Sequence, residues 1–81
     1  MDKYYDYVRY FCIIKTRSNG VEKYVFRSFA GAPRLERGEE LVDFEGSKLN
    51  NPPTKKRGKI FRKLRAKARA KNIPHVINLD T

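Results

Sequence analysis

The sequence predicts an α+β fold: a small antiparallel sheet, made of a β-hairpin plus one or two further strands, packed by one long basic C-terminal helix. Three observations predict it. Two runs rich in β-branched and aromatic residues, 4–16 and 21–30, flank an Asn19-Gly20 dipeptide. Residues 54–72, TKKRGKIFRKLRAKARAKN, are mostly good helix formers with apolar side chains at a helical period. Between these regions Leu41-Val42-Asp43-Phe44 alternates as a short strand does. At 81 residues the chain is sized for a single small domain, 1–81.

The hairpin spans residues 4–30. Asn-Gly between two strand-forming runs marks a type I′ turn, because both central residues of that turn need positive φ. A loop of only Asn19 and Gly20 places Arg17 opposite Glu22, Ile14 opposite Val25, Ile13 opposite Phe26 and Tyr10 opposite Phe29. One face then carries Phe11, Ile13, Tyr24 and Phe26; the other carries Val8, Tyr10, Cys12, Ile14, Val25 and Phe29. Both are apolar near the middle, unlike a half-exposed sheet. Either both faces are covered, or the helix covers one and the other meets a partner. Arg9, Lys15, Lys23 and Arg27 are interleaved with the aromatics. That mixture suits base stacking with phosphate contact, which makes Tyr24 and Arg27 candidate nucleic-acid contacts. The competing expectation is that the aromatics are core.

Gly31-Ala32-Pro33 ends the second strand, and the charged stretch 34–40 reads as a loop or a single helical turn. The third strand is expected over 41–45, stopped by Gly46, with a linker over 46–53. The helix covers 54–72. Ile60, Phe61, Leu64 and Ala68 form one apolar stripe, so the helix docks on a core. Its start breaks a rule. Thr54 is a plausible N-cap, yet Lys55, Lys56 and Arg57 would then sit at the positive end of the helix dipole, and Gly58 follows. The favoured expectation is a helix starting near Gly58 with Lys55–Arg57 as a basic arm; the alternative is a first turn built to receive a phosphate. At the other end Asn72 suits a left-handed cap and Pro74 blocks continuation. Residues 75–79 alternate and are a candidate last strand.

The charge is concentrated. Residues 55–71 hold ten basic side chains and no acidic one, whereas residues 1–54 hold nine basic and eight acidic, within a net charge of +10. Such a segment is an electrostatic footprint for a polyanion. The candidate contacts are Lys55, Lys56, Arg57, Lys59, Arg62, Lys63, Arg65 and Arg69, joined by Arg27 and Tyr24. The expected function is non-catalytic binding of nucleic acid, DNA or RNA. The alternative is a small phage- or mobile-element-type inhibitor or adaptor whose basic face docks on an acidic protein surface.

Catalysis is not expected. One His75 and one Cys12 make neither a zinc site nor a catalytic pair, and the five glycines form no phosphate loop. Glu36, Glu39, Glu40, Asp43 and Glu45 cluster in sequence, but read as an acidic loop able to contact the basic helix rather than a metal site. No cofactor and no metal are implied. A lone cysteine excludes an intramolecular disulfide, and no apolar run is long enough for a membrane span. The expected location is the cytoplasm, or a host cell's cytoplasm or nucleoid.

Overall fold

Asn19 and Gly20 both take positive φ, 53° and 77°, and turn the chain tightly enough to pair two strands of equal length. These are β1 (Arg9–Ser18) and β2 (Val21–Ala30). Their register puts Arg17 opposite Glu22, Ile13 opposite Phe26 and Tyr10 opposite Phe29, as a two-residue loop requires. The structure, a computed structural model, describes residues 7–79. The expected strand residues before Tyr7 lie outside that range. After the hairpin come β3 (Glu40–Ser47), α1 (Thr54–Ala70) and β4 (Ile77–Asn78).

The fold is α+β, with one helix on a four-stranded sheet in the order β3-β1-β2-β4. The sheet is mixed rather than antiparallel throughout. β3 pairs antiparallel with β1, but β4 pairs parallel with β2, Val25 opposite Ile77 and Phe26 opposite Asn78. Nor is the helix C-terminal: its 17 residues carry the chain from β3 across to β4. Parallel strands need such a crossover, which is why the helix is internal.

β3 is longer than its alternating core suggests. Gly46 does not stop it but pairs with Tyr10, and Ser47 pairs with Arg9. Glycine serves a close approach there: a Cβ on Gly46 would lie 2.2 Å from the Tyr7 ring. A register shift between Ile13 and Ile14 leaves Val42 as the extra residue of a bulge. The stretch 34–38 is loop, not helix.

The central strand β1 is covered on both faces. On one, Phe11, Ile13 and Phe26 meet Leu64, Ala68 and Ile73. Phe61 stands edge-on to Phe11 and Phe26, with centroids 5.6 and 5.5 Å apart. On the other, Tyr10, Cys12, Ile14 and Val25 pack with Phe29, Leu41 and Phe44, while Tyr7 leans edge-on against Tyr10. Burial pushes the Cys12 thiol up to about 12, so it stays a neutral, inert part of this core. Arg27 reaches both carboxylate oxygens of Glu39 at 3.0 and 3.2 Å and ties the connection after β2 to this face.

The helix starts at Thr54, not near Gly58, so Lys55–Arg57 are its first turn rather than an arm. Pro53, extended at φ −64° and ψ 161°, holds the N-cap position, and its carbonyl accepts the Arg57 N–H at 2.9 Å. Arg57 then points inward, its guanidinium 5.8 Å from the centre of the Phe11 ring. That cation–π contact offsets part of the unfavourable dipole at a cationic first turn. The helix ends in a Schellman motif: Asn72 has φ 61°, its N–H reaches the Arg69 carbonyl, and the Ile73 N–H reaches the Ala68 carbonyl.

Two substitutions test this packing. Leu64→Ala, at a fully buried position, is expected to cost about 2–5 kcal/mol in chemical denaturation. Gly58 has open space where a Cβ would go, so Gly58→Ala is expected to stabilise by about 0.4–1 kcal/mol. A loss from Gly58→Ala would contradict a helix that is continuous through residue 58.

Candidate nucleic-acid interface

The basic side chains of α1 fall into two rows, set by the helical period. Arg62, Arg65 and Arg69 run down one flank; Lys56, Lys59, Lys63 and Lys67 run down the other. Between them the outward barrel carries Lys55, Ala66 and Ala70. Lys55, Lys56, Lys59, Arg62, Lys63, Arg65 and Arg69 are all exposed. Among the described residues, no carboxylate forms an ion pair with any of these seven. Arg57, by contrast, is half-buried against Phe11.

The two rows meet different surroundings. The lysine row lies beside β3, whose helix-facing residues include Asp43 and Glu45. Lys67 pairs with both carboxylates and donates to the Phe44 carbonyl at 2.9 Å. Lys71 stands 3.9 Å from Asp43. Burial would lower the pKa of Lys67, but the hydrogen bond and charge of Glu45, with those of Asp43, outweigh it and leave the ammonium above its ordinary value. Lys67 and Lys71 are therefore partly neutralised within the chain. The acidic residues that cluster in sequence are dispersed in space: Glu39 holds Arg27, Glu40 stands 3.6 Å from Lys15, and Asp43 and Glu45 hold the helix. Among the described residues no group of acidic, His or Cys side chains is arranged to hold a metal ion.

The arginine row borders a groove. Arg65 and Arg69 form one wall with Ala68, and the segment Ile73–Val76 forms the other, with His75 on its rim. In the sequence Arg65 and Arg69 read as part of a general patch, and His75 only as a residue without a catalytic or zinc partner. The facing wall arises only when the chain folds back after Pro74, so no local spacing announces it.

The two sheet candidates are engaged within the fold. Tyr24 is half-buried and packs against the helix-side core. Arg27 is engaged by Glu39, a carboxylate whose side chain is only 8% exposed. Tyr10, another ring of the aromatic sheet, is fully buried. The cationic surface therefore belongs to the helix.

Fold and surface together define a small α+β protein with a mixed sheet and one helix whose outer side bears basic residues and alanines and no acidic residue. Comparisons with protein-family models, with curated proteins and with solved structures find no match. Among the described residues no helix is long and apolar enough to cross a membrane.

Lys67 and Lys63 separate internal pairing from free charge. Lys67→Met is expected to cost on the order of 1 kcal/mol in urea denaturation, since it removes the ammonium that pairs with Glu45 and donates to the Phe44 carbonyl. Lys63→Met should stay within about 0.5 kcal/mol. A raised lysine pKa means that the folded state holds its proton more tightly than the unfolded one. The contribution is thus fully present below the ordinary value of 10.5 and lost as pH rises through the raised one. The Lys67→Met effect should be undiminished at pH 9.

Proposed function

We propose that this chain is a non-catalytic nucleic-acid-binding protein in which α1 supplies most of the affinity. The observation that carries this reading is the set of seven exposed basic side chains on α1 that no described carboxylate pairs with. A helix presenting two cationic rows separated by Ala66 and Ala70 offers phosphate contacts on both sides while its barrel comes close to the ligand. The first turn adds backbone N–H groups beside Lys55 and Lys56, with no acidic residue. The core explains why the helix is held in place rather than free: Leu64 and Ala68 anchor its inner side, and the outer side is left for a polyanion. Affinity of this kind comes from counterion release, which is independent of base sequence.

The test is a salt titration against duplex and single-stranded oligonucleotides. If about six of these cations meet phosphates, affinity falls by roughly 10³-fold between 50 and 200 mM salt. Binding that is indifferent to salt would sink the reading. It would favour docking of the basic side on an acidic protein surface, where apolar contacts and a few ion pairs dominate.

A further inference from the structure

We infer that the groove between the arginine row of α1 and the returning segment 73–76 is the seat of a single-stranded stretch of nucleic acid, with an unpaired base inside it. This rests on the nucleic-acid reading above and adds to it a place and a strand state.

The groove has the size for such a ligand. It is open-sided, with a volume of about 490 Å³, within the roughly 300–1,000 Å³ of small-molecule sites. Its chemistry is divided in the way a nucleotide is. Pro74 and Val76 supply apolar surface over the buried Ala68 and Ile73; Arg65, Arg69 and His75 supply nitrogen donors and flat, delocalised planes. A guanidinium or an imidazole can stack on a base and donate to a phosphate oxygen, which a lysine ammonium does less well. A duplex turns its base faces inward and offers only edges and phosphates, so it would leave the apolar wall unused. An unpaired nucleotide uses both parts.

The groove also continues. A second hollow of about 250 Å³ shares Arg69, Ile73 and Pro74 with the first and adds Asn72 at its edge. Arg69 thus stands on the wall common to both, where a linking phosphate would pass between two bases. Asn72 carries an amide with donors and an acceptor for a base edge.

Charge decides between the two flanks of the helix. On the lysine side a strand would run towards Asp43 and Glu45, and Lys67 is already engaged with them. On the arginine side no described carboxylate lines either hollow. A polyanion passes two paired carboxylates on one flank and, among the described residues, none that line the hollows of the other.

The test uses the full chain, with labelled single strands of DNA and of RNA about twelve nucleotides long and a duplex of the same length, at 50 mM salt. Three double variants are compared with the parent: Arg65→Ala with Arg69→Ala, Lys59→Ala with Lys63→Ala, and Arg65→Lys with Arg69→Lys. All four positions are exposed, and melting temperatures near the parent's confirm folding. Single-strand affinity should fall about tenfold further in the arginine-to-alanine pair than in the lysine-to-alanine pair, although both lose the same charge. The arginine-to-lysine pair should also weaken single strands, by about threefold or more, with charge unchanged. Duplex affinity should drop equally in the two alanine pairs. Equal single-strand losses in the two alanine pairs, or an arginine-to-lysine pair that binds like the parent, would overturn the groove and leave the general reading standing. A parent that binds no oligonucleotide would remove the nucleic-acid reading, and the groove with it.

Discussion

The structure depends on one strand being covered on both faces. β1 lies inside the sheet, with β3 on one side and β2 on the other, and its residues from Tyr10 to Ile14 are excluded from water. A strand of alternating apolar residues needs a single cover. This one needs two, because Phe11 and Ile13 point one way and Tyr10, Cys12 and Ile14 the other. The helix supplies the first cover. Phe29, Leu41, Phe44 and Tyr7 contribute to the second, with the connection after β2 pinned by Arg27 and Glu39. The covers use most of the described aromatic residues of the hairpin as packing material. The charged outer side of the helix has no such structural employment.

What was legible in the sequence was local. Asn19-Gly20 determines a turn and through it the pairing of ten residues with ten, because the constraint acts between neighbours. The apolar stripe of Ile60, Phe61, Leu64 and Ala68 gives the buried side of the helix, and Asn72 before Ile73-Pro74 gives its end. What was not legible depends on partners far along the chain. Gly46 resembles a strand terminator until Tyr7 is seen to lie on it. The cationic first turn resembles an arm until Arg57 is placed over Phe11. The direction of β4 is set by the crossover through α1, which two paired residues cannot signal in advance. At the candidate interface, the basic residues were readable one by one. Their division into lysine and arginine flanks was implicit in the spacing, but its meaning came only with the neighbours of each flank.

Those neighbours also explain how a helix with so little apolar surface keeps one orientation. Its inward stripe is narrow, and a rotation by one residue would still bury some of Ile60, Phe61, Leu64 and Ala68. Lys67 removes that freedom. Held by Asp43, Glu45 and the Phe44 carbonyl at the edge of the sheet, it acts as a polar key to the rotation of α1. Individual exposed ion pairs contribute little stability, but a misaligned key would strand two carboxylates beside an apolar core. The acidic residues of β3 therefore select which basic residues face away.

The joint between β2 and β4 carries a further consequence. Among the described residues only Ile77 and Asn78 pair there, helped by the Leu79 N–H on the Phe26 carbonyl, and they join segments far apart in the sequence. A ladder this short, closed over so long a loop, returns few hydrogen bonds for the entropy of closing it. It is the natural first unit to open under native conditions, ahead of the β1–β2 pair. The segment 73–76 runs from the Schellman turn of α1 to this joint, so the fraying of two residues would loosen the Val76 end of one wall of the groove, while Ile73 stays anchored in the core. Occupancy of the groove and closure of the β4 ladder would then be thermodynamically linked: whatever lies between the walls also fastens β4 to β2.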